Sequence, residues 1–251
     1  MTDSGRAWTT EVTRRRALTL FGAAGLALVA AACSDDDGGG ADTGARTQSG
    51  TSGSTGGSTT GTGSGAGASG VDCVLTPEMT EGPYYLEAMA VRRDITEGRP
   101  GVPLQLELTI ADASTCAPVP GLMVEVWHAD AEGDYSGFGS GGSSTTFLRG
   151  GQPSDAQGVA TFDTIYPGWY PGRAVHIHLK VHDGRTVHTT QLFFDQELTD
   201  EVFTRAPYAG ASGETTNDQD GIYRDGGAST ILRMTPAGDG YVGRIVLGVQ
   251  R

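Results

Sequence analysis

An all-β fold is what this 251-residue sequence predicts: a β-sandwich of mixed sheets with long loops, preceded by a flexible, disordered tether. Three observations carry that prediction. Several runs alternate apolar and polar residues with a period of two, the pattern of a strand with one face on a core. Clusters of Gly, Pro, Asp and Ser punctuate those runs as turns. Helical periodicity is confined to one short stretch.

Residues 1–33 read as an export address. Arg14, Arg15 and Arg16 precede an apolar stretch over residues 17–32, short of the roughly 20 residues a membrane span needs. The paired arginines before a mildly apolar run resemble a twin-arginine signal, a route that carries folded proteins. Ala30-Ala31-Ala32-Cys33 looks like a lipoprotein cleavage site with Cys33 as the lipidated residue, although Ala30 stands where such sites usually carry Leu. The expected location is therefore the outer face of the cytoplasmic membrane, through the lipid, or the exterior. Residues 34–70 are almost all Gly, Ser, Thr, Ala and Asp and cannot build a core. They are expected to form a tether with a reach of roughly 30–35 Å.

Residues 71–251 are the expected folded domain. Candidate strands cover residues 104–110, 122–127, Val159–Ile165, 174–182, 186–194 and 241–249, with a short helix at 196–204 whose Phe203 packs inward. Residues 137–146 are rich in Gly and Ser and read as a loop. With Cys33 set aside, Cys73 and Cys116 form an even pair, which in an oxidising compartment reads as a disulfide. The 17 Lys and Arg against 30 Asp and Glu give a net charge of −13, which disfavours a nucleic-acid partner.

The most informative segment is Tyr170-Pro171-Gly172-Arg173-Ala174-Val175-His176-Ile177-His178. Across residues 174–182, Val175, Ile177, Leu179 and Val181 alternate with His176, His178, Lys180 and His182. His176 and His178 thus share a face and can reach one metal ion. Tyr170 offers a hard phenolate oxygen, and Tyr135 follows a strand that breaks into a turn after Trp127. Two phenolates and two imidazoles favour a high-valent ion such as Fe(III), since two tyrosinates and a hydroxide neutralise it in a poorly solvated site. His182 stands roughly 13 Å beyond His178 along the strand, too far for the same ion. His128 and His188 are read as non-ligands, and Trp127 and Trp169 as core or pocket-wall residues.

The chain resembles the intradiol ring-cleavage dioxygenases, the family of catechol and protocatechuate dioxygenases. The resemblance rests on Thr76-Pro77-Glu78-Met79-Thr80-Glu81-Gly82-Pro83-Tyr84-Tyr85, on Val126-Trp127-His128-Ala129 leading to Gly133-Asp134-Tyr135, and on Tyr170-Pro171 with Arg173-Ala174-Val175-His176-Ile177-His178. It implies a β-sandwich oxidoreductase of aromatic compound catabolism with one non-haem Fe(III) per chain. The family's metal ligands match Tyr135, Tyr170, His176 and His178, and its active-site arginine matches Arg173. A catechol would displace Tyr170, which takes up a substrate proton, and Arg173 would stabilise the anionic ring. With O2 the ring opens between the two hydroxyl-bearing carbons to a muconate-type product. Gln191 is placed near the ligands by the same resemblance, and Pro83 and Tyr84 along the substrate pocket. Related enzymes assemble, so a homo-oligomer is compatible with it, but no interface is marked. Only five residues separate Tyr170 from His176, fewer than in the protocatechuate branch, so a more open site that accepts larger catechols is expected.

Other readings stay open at this stage. Two histidines at i and i+2 are in isolation more often packing or surface residues. Tyr135 could be a packed sandwich tyrosine, and Arg173 could pair with Asp163. A Zn-dependent hydrolase could use His176, His178 and a carboxylate, although the chain holds no G-x-S-x-G elbow. A lipid-anchored binding module with a structural metal site is the non-enzymatic alternative.

Overall fold

The structure, a computed structural model, describes residues 73–87, 90–209 and 215–251. The expected export signal, Cys33 and the tether over residues 34–70 lie outside the described residues.

Among the described residues, eight strands form two four-stranded sheets. The first contains β1 (Pro103–Asp112), β4 (Val159–Ile165), β7 (Arg233–Ala237) and β8 (Gly240–Val249), in the order β4-β1-β8-β7. It is mixed, because β1 runs parallel to β8 and the other pairs are antiparallel. The second contains β2 (Met123–Trp127), β3 (Arg149–Pro153), β5 (His176–Asp183) and β6 (Thr186–Phe193), in the order β3-β2-β5-β6, antiparallel throughout.

Both inner faces feed one apolar core. Leu104, Leu106, Leu108 and Ile110 of β1 meet Val124 and Val126 of β2 and Ile177, Leu179 and Val181 of β5. Each such side chain contributes about 1.5–3 kcal/mol through loss of water contact. The period-two pattern predicted for residues 104–110 is the observed one: the leucines and Ile110 are buried, while Gln105, Glu107 and Thr109 are half-buried. On β5 the pattern holds in direction but not in exposure. All residues from His176 to Val181 are buried, because residues 79–86 cross the outer face. Glu81 binds Lys180 there at 2.6 Å, and the Lys180 ammonium lies 3.4 Å from the centre of the Tyr85 ring.

Two strands are absent from the sequence expectation. β3, Arg-Gly-Gly-Gln-Pro, holds no β-branched or aromatic residue. A side chain at Gly150 would collide with Ile95, so the close approach of the chain there selects glycine. β7 lies at the edge of the first sheet and carries Pro236, which an edge tolerates. The expected helix is α1 (Gln196–Val202), capped by the Asp195 carboxylate, which accepts from the N–H groups of Glu197 and Leu198. Phe203 packs on the core as expected.

Cys73 and Cys116 form a disulfide with a Cα–Cα distance of 5.4 Å and 43 residues of separation. It ties the first described residue to the turn after β1. Cross-linking a loop of that length removes about 4 kcal/mol of unfolded-state entropy. A Cys73→Ser/Cys116→Ser variant should therefore lose about 3–4 kcal/mol of unfolding free energy in urea. An unchanged midpoint would contradict this.

Candidate metal centre

The centre is built on β5 and two loops. Strand alternation turns His176 and His178 away from the core, and their Nε2 atoms stand 3.0 Å apart. That spacing matches the roughly 3.0 Å between two nitrogens bound at right angles to one ion by bonds of about 2.1 Å. His176 Nδ1 donates to the Ala174 carbonyl at 2.6 Å. A carbonyl only accepts, so the proton is on Nδ1 and Nε2 presents its lone pair. His178 is stacked on Trp127 of β2, ring centres 4.9 Å apart and 5° from parallel. From the other side Gly82 comes so close that an added Cβ would touch the imidazole at 3.0 Å.

Tyr135 and Tyr170 arrive on loops that interlock. Beyond β2 the Asp130 carboxylate accepts from the N–H of Glu132 at 3.0 Å and of Asp134 at 2.9 Å, folding the chain back toward the sheet. Gly133 sits at φ +89° and packs directly on the Trp169 backbone, where any side chain would collide. The Gly168 N–H donates to the Asp130 carbonyl at 2.9 Å. The outcome is a Tyr135–Tyr170 ring separation of 5.6 Å, with Tyr135 6.1 Å from His178 and Tyr170 5.7 Å from His176. The Tyr170 hydroxyl lies 3.3 Å from His176 Nε2. Tyr135 is 3 % exposed, and its hydroxyl, beside that of Tyr170, makes no hydrogen bond of ordinary geometry.

Electrostatics keep all four groups neutral without a cation. Burial, and then the nearby Arg173, pushes His176 down to about 3. Burial, and then His176, holds His178 well below the usual imidazole range. Burial raises both phenols, Tyr170 adding to the effect on Tyr135 and Arg173 opposing it on Tyr170. Bare imidazole nitrogen, a buried phenol without an acceptor and a second phenol at 3.3 Å are poorly served by one another. A multivalent hard cation satisfies them together, so the donor set fits Fe(III). Among the described residues no group of three or more His, Cys, Asp or Glu could hold a metal, which disfavours a His176, His178 and carboxylate zinc site.

Arg173 borders the donors, its Nη1 3.5 Å from His176 Nε2. It does not pair with Asp163, which is engaged by Arg93 at 2.8 Å and Gln105 at 3.0 Å. Its partner is Asp220, at 2.9 Å from Nε, while Nη2 donates to Gln191 Oε1 at 2.5 Å. Gln191 in turn donates to the Thr80 carbonyl at 2.8 Å. Asp220, 1 % exposed, also accepts from the Ala174 N–H at 2.8 Å and caps α2 (Gly221–Arg224) through the N–H of Ile222 at 2.7 Å. Burial opposes its ionisation, but the Ala174 N–H and Arg173 outweigh that and hold its carboxyl below the usual range. Sequence reasoning missed Asp220. Its only local signal is a cap before a four-residue helix, 47 positions from Arg173.

Other residues singled out in the sequence lie around this group or apart from it. Tyr84 stacks on Tyr135 at 4.4 Å and meets Tyr170 edge-on at 5.9 Å, while Pro83 beside it is exposed. Phe138, from the Gly/Ser-rich loop, packs on Tyr84 at 5.3 Å. His128 is buried between the Ala129 carbonyl and the Thr164 hydroxyl, both at 2.8 Å. His182 binds Glu125 at 3.1 Å, and His188 lies 3.6 Å from Glu78.

Comparison with known proteins bears on this arrangement. A family model described as Dioxygenase matches residues 80–220, which include all four donors, Arg173, Gln191 and Asp220. The chain is 35 % identical over 101 residues to catechol 1,2-dioxygenase 1 of Acinetobacter lwoffii, 38 % of this chain and 32 % of that protein. It is 32 % identical over 142 residues to the catechol 1,2-dioxygenase of Acinetobacter baylyi, 47 % of this chain and 45 % of that protein. The chain thus spans less than half the length of these two relatives. An intradiol ring-cleavage dioxygenase from Tetranychus urticae superposes with a TM-score of 0.68 at 34 % identity, over 71 % of this chain and 95 % of that one. The dioxygenase domain of a carbohydrate-binding fusion from Streptomyces sp. SirexAA-E gives 0.56 at 31 %, over 70 % and 98 %.

Two outcomes test the wiring. Asp220→Asn leaves Arg173 without its carboxylate and should cost about 3 kcal/mol of unfolding free energy in urea; a change below about 0.5 kcal/mol would contradict the pairing. His128 is held neutral, its pKa pushed down to about 4 by burial, whereas an unfolded chain takes up that proton near pH 6.5. Stability is full above about pH 6.5 and falls as the pH drops toward 4. Between about pH 7 and pH 4.5, His128→Gln should lose about 2–3 kcal/mol less than the parent protein. Equal losses would contradict a neutral buried imidazole.

Proposed function

From the premise that the chain belongs to the intradiol ring-cleavage dioxygenase family, we propose that it is a non-haem Fe(III) dioxygenase. It opens catechol-type rings between the hydroxyl-bearing carbons with O2, giving muconate-type products. The observation that carries this reading is the convergence of Tyr135, Tyr170, His176 and His178, four donors of which none is a carboxylate or thiolate.

Each residue has a part in that chemistry. Tyr135, Tyr170, His176 and His178 would hold the ion, and the Ala174 carbonyl fixes the tautomer that would let His176 bind it. When bound, Fe(III) draws electron density from a chelated catechol so that a ring carbon becomes reactive toward O2. Tyr170 is half-buried whereas Tyr135 is enclosed, so Tyr170 is the phenol that would be free to accept a catechol proton. Arg173 presents a planar guanidinium fork, and Asp220 and Gln191 fix its direction toward the anionic ring. Tyr84, Trp127 and Phe138 pack around the donors and exclude water. The five-residue link between Tyr170 and His176 supports acceptance of larger or varied catechols.

We further propose that the protein acts outside the cytoplasm. The Cys73–Cys116 disulfide suits an oxidising compartment. The twin-arginine motif, Cys33 and the tether over residues 34–70 agree with export of an iron-loaded domain followed by lipid anchoring.

Metal analysis with visible spectroscopy tests the function. Purified protein should hold about one iron per chain and absorb visible light through tyrosinate-to-iron charge transfer. Anaerobic catechol should shift that absorption, and admitting O2 should yield a muconate. Tyr170→Phe should bleach part of the band and lower turnover by 10²-fold or more. A colourless protein with stoichiometric zinc, or one that binds no metal, would overturn the proposal.

A further inference from the structure

Arg149 opens β3 opposite Trp127 and, among the described residues, is the one buried arginine, 5 % exposed. A guanidinium removed from water is costly unless an anion accompanies it. Arg173 has Asp220; Arg149 has no carboxylate partner among the described residues. Its guanidinium donates to Ser136 alone among the described residues, from Nε to Oγ at 2.8 Å and to the carbonyl at 3.2 Å, and from Nη2 to the same carbonyl at 2.8 Å. Glu125, the carboxylate whose charge reaches it, is engaged by His182 at 3.1 Å and Tyr85 at 3.4 Å. What the guanidinium faces is an aromatic pair: its central carbon lies 5.9 Å from the centre of the Tyr135 ring and 5.6 Å from that of Phe138.

We infer that Arg149 is a positioning residue for the Tyr135 ligand: its unpaired charge balances the negative oxygen that Tyr135 presents to the ion and tempers how strongly that oxygen donates. The inference rests on the proposed ferric function and adds to it a second arginine, one that meets the metal through its ligand rather than the substrate. Arg173 shares its charge with Asp220 and also serves the histidines and the substrate side, whereas Arg149 has no carboxylate partner among the described residues and faces the centre through the Tyr135 ring. Because Ser136 follows Tyr135 in the chain, the same side chain also clamps the Tyr135 loop. Charge and clamp are separable, and they predict different spectra.

A positive charge beside the donor ring stabilises the donor electron more than the acceptor orbital of the ion. Removing it should lower the charge-transfer energy. In ferric-loaded full-length protein, Arg149→Gln should move the visible band to longer wavelength, by on the order of 10 nm from Coulomb's law at an effective dielectric constant near 10–20. Arg149→Lys keeps the charge and loses the fork; Ser136→Ala removes the Oγ acceptor. Both should leave the band within a few nanometres of the parent, about the reproducibility of its maximum, since the charge term of Coulomb's law is kept. In a Tyr135→Phe background the Arg149→Gln shift should vanish. The inference is overturned if Arg149→Gln leaves the band in place, if its shift persists without the Tyr135 hydroxyl, or if either charge-preserving variant shifts the band as far. Should Arg149→Gln fail to fold, a shift in Arg149→Lys or Ser136→Ala still overturns it, and unmoved bands in both support it. Parent protein that develops no visible band with iron would instead count against the proposed function.

Discussion

Two imidazole Nε2 atoms, 3.0 Å apart and buried, are the constraint to which the rest of the site answers. Neither can ionise at neutral pH, because burial and the neighbouring positive charges work against protonation. Strand geometry creates the pair at no structural cost: a period of two places positions 176 and 178 on one face while Ile177 anchors the strand in the core. The hydrogen bond from His176 Nδ1 to the Ala174 carbonyl then decides which nitrogen faces the centre.

Around that pair, the fold brings parts from distant stretches of chain and locks them by close backbone approach. Gly133 and Gly168 let the two tyrosine loops touch main chain to main chain, and Asp130 holds their turns. Residues 79–86 close over β5, where Gly82 passes the His178 ring. Asp220 joins three structures at once: the arginine beside the donors, the backbone leading into β5 and the start of α2. A site with this many rigid attachments holds its donors in place before any ion arrives.

Much of this was legible in the sequence because the relevant signals are local. The alternation of residues 104–110 is a one-dimensional pattern, and so is the histidine pair of β5. The disulfide followed from the parity of two cysteines. What escaped the sequence is non-local. β3 is a strand because β2 pairs with it and Ile95 leaves no room for a side chain at Gly150, which no propensity of Arg-Gly-Gly-Gln-Pro announces. The polar face of β5 is covered by a segment about 95 residues earlier in the chain, which the local alternation of residues 174–182 does not announce. Arg173 had a plausible partner in Asp163, but that carboxylate lies on the other sheet, engaged by Arg93. Asp220 and Arg149 became visible only through their contacts.

The central claim is that one ion is held by two phenolic oxygens and two imidazole nitrogens. An anomalous difference map, collected above and below the iron absorption edge on crystals of the iron-loaded protein, tests this most directly. The account predicts a single iron peak within bonding distance of the Tyr135 and Tyr170 oxygens and of Nε2 of His176 and His178. An iron peak elsewhere, or one that contacts the histidines while either tyrosine points away in the substrate-free protein, would contradict it.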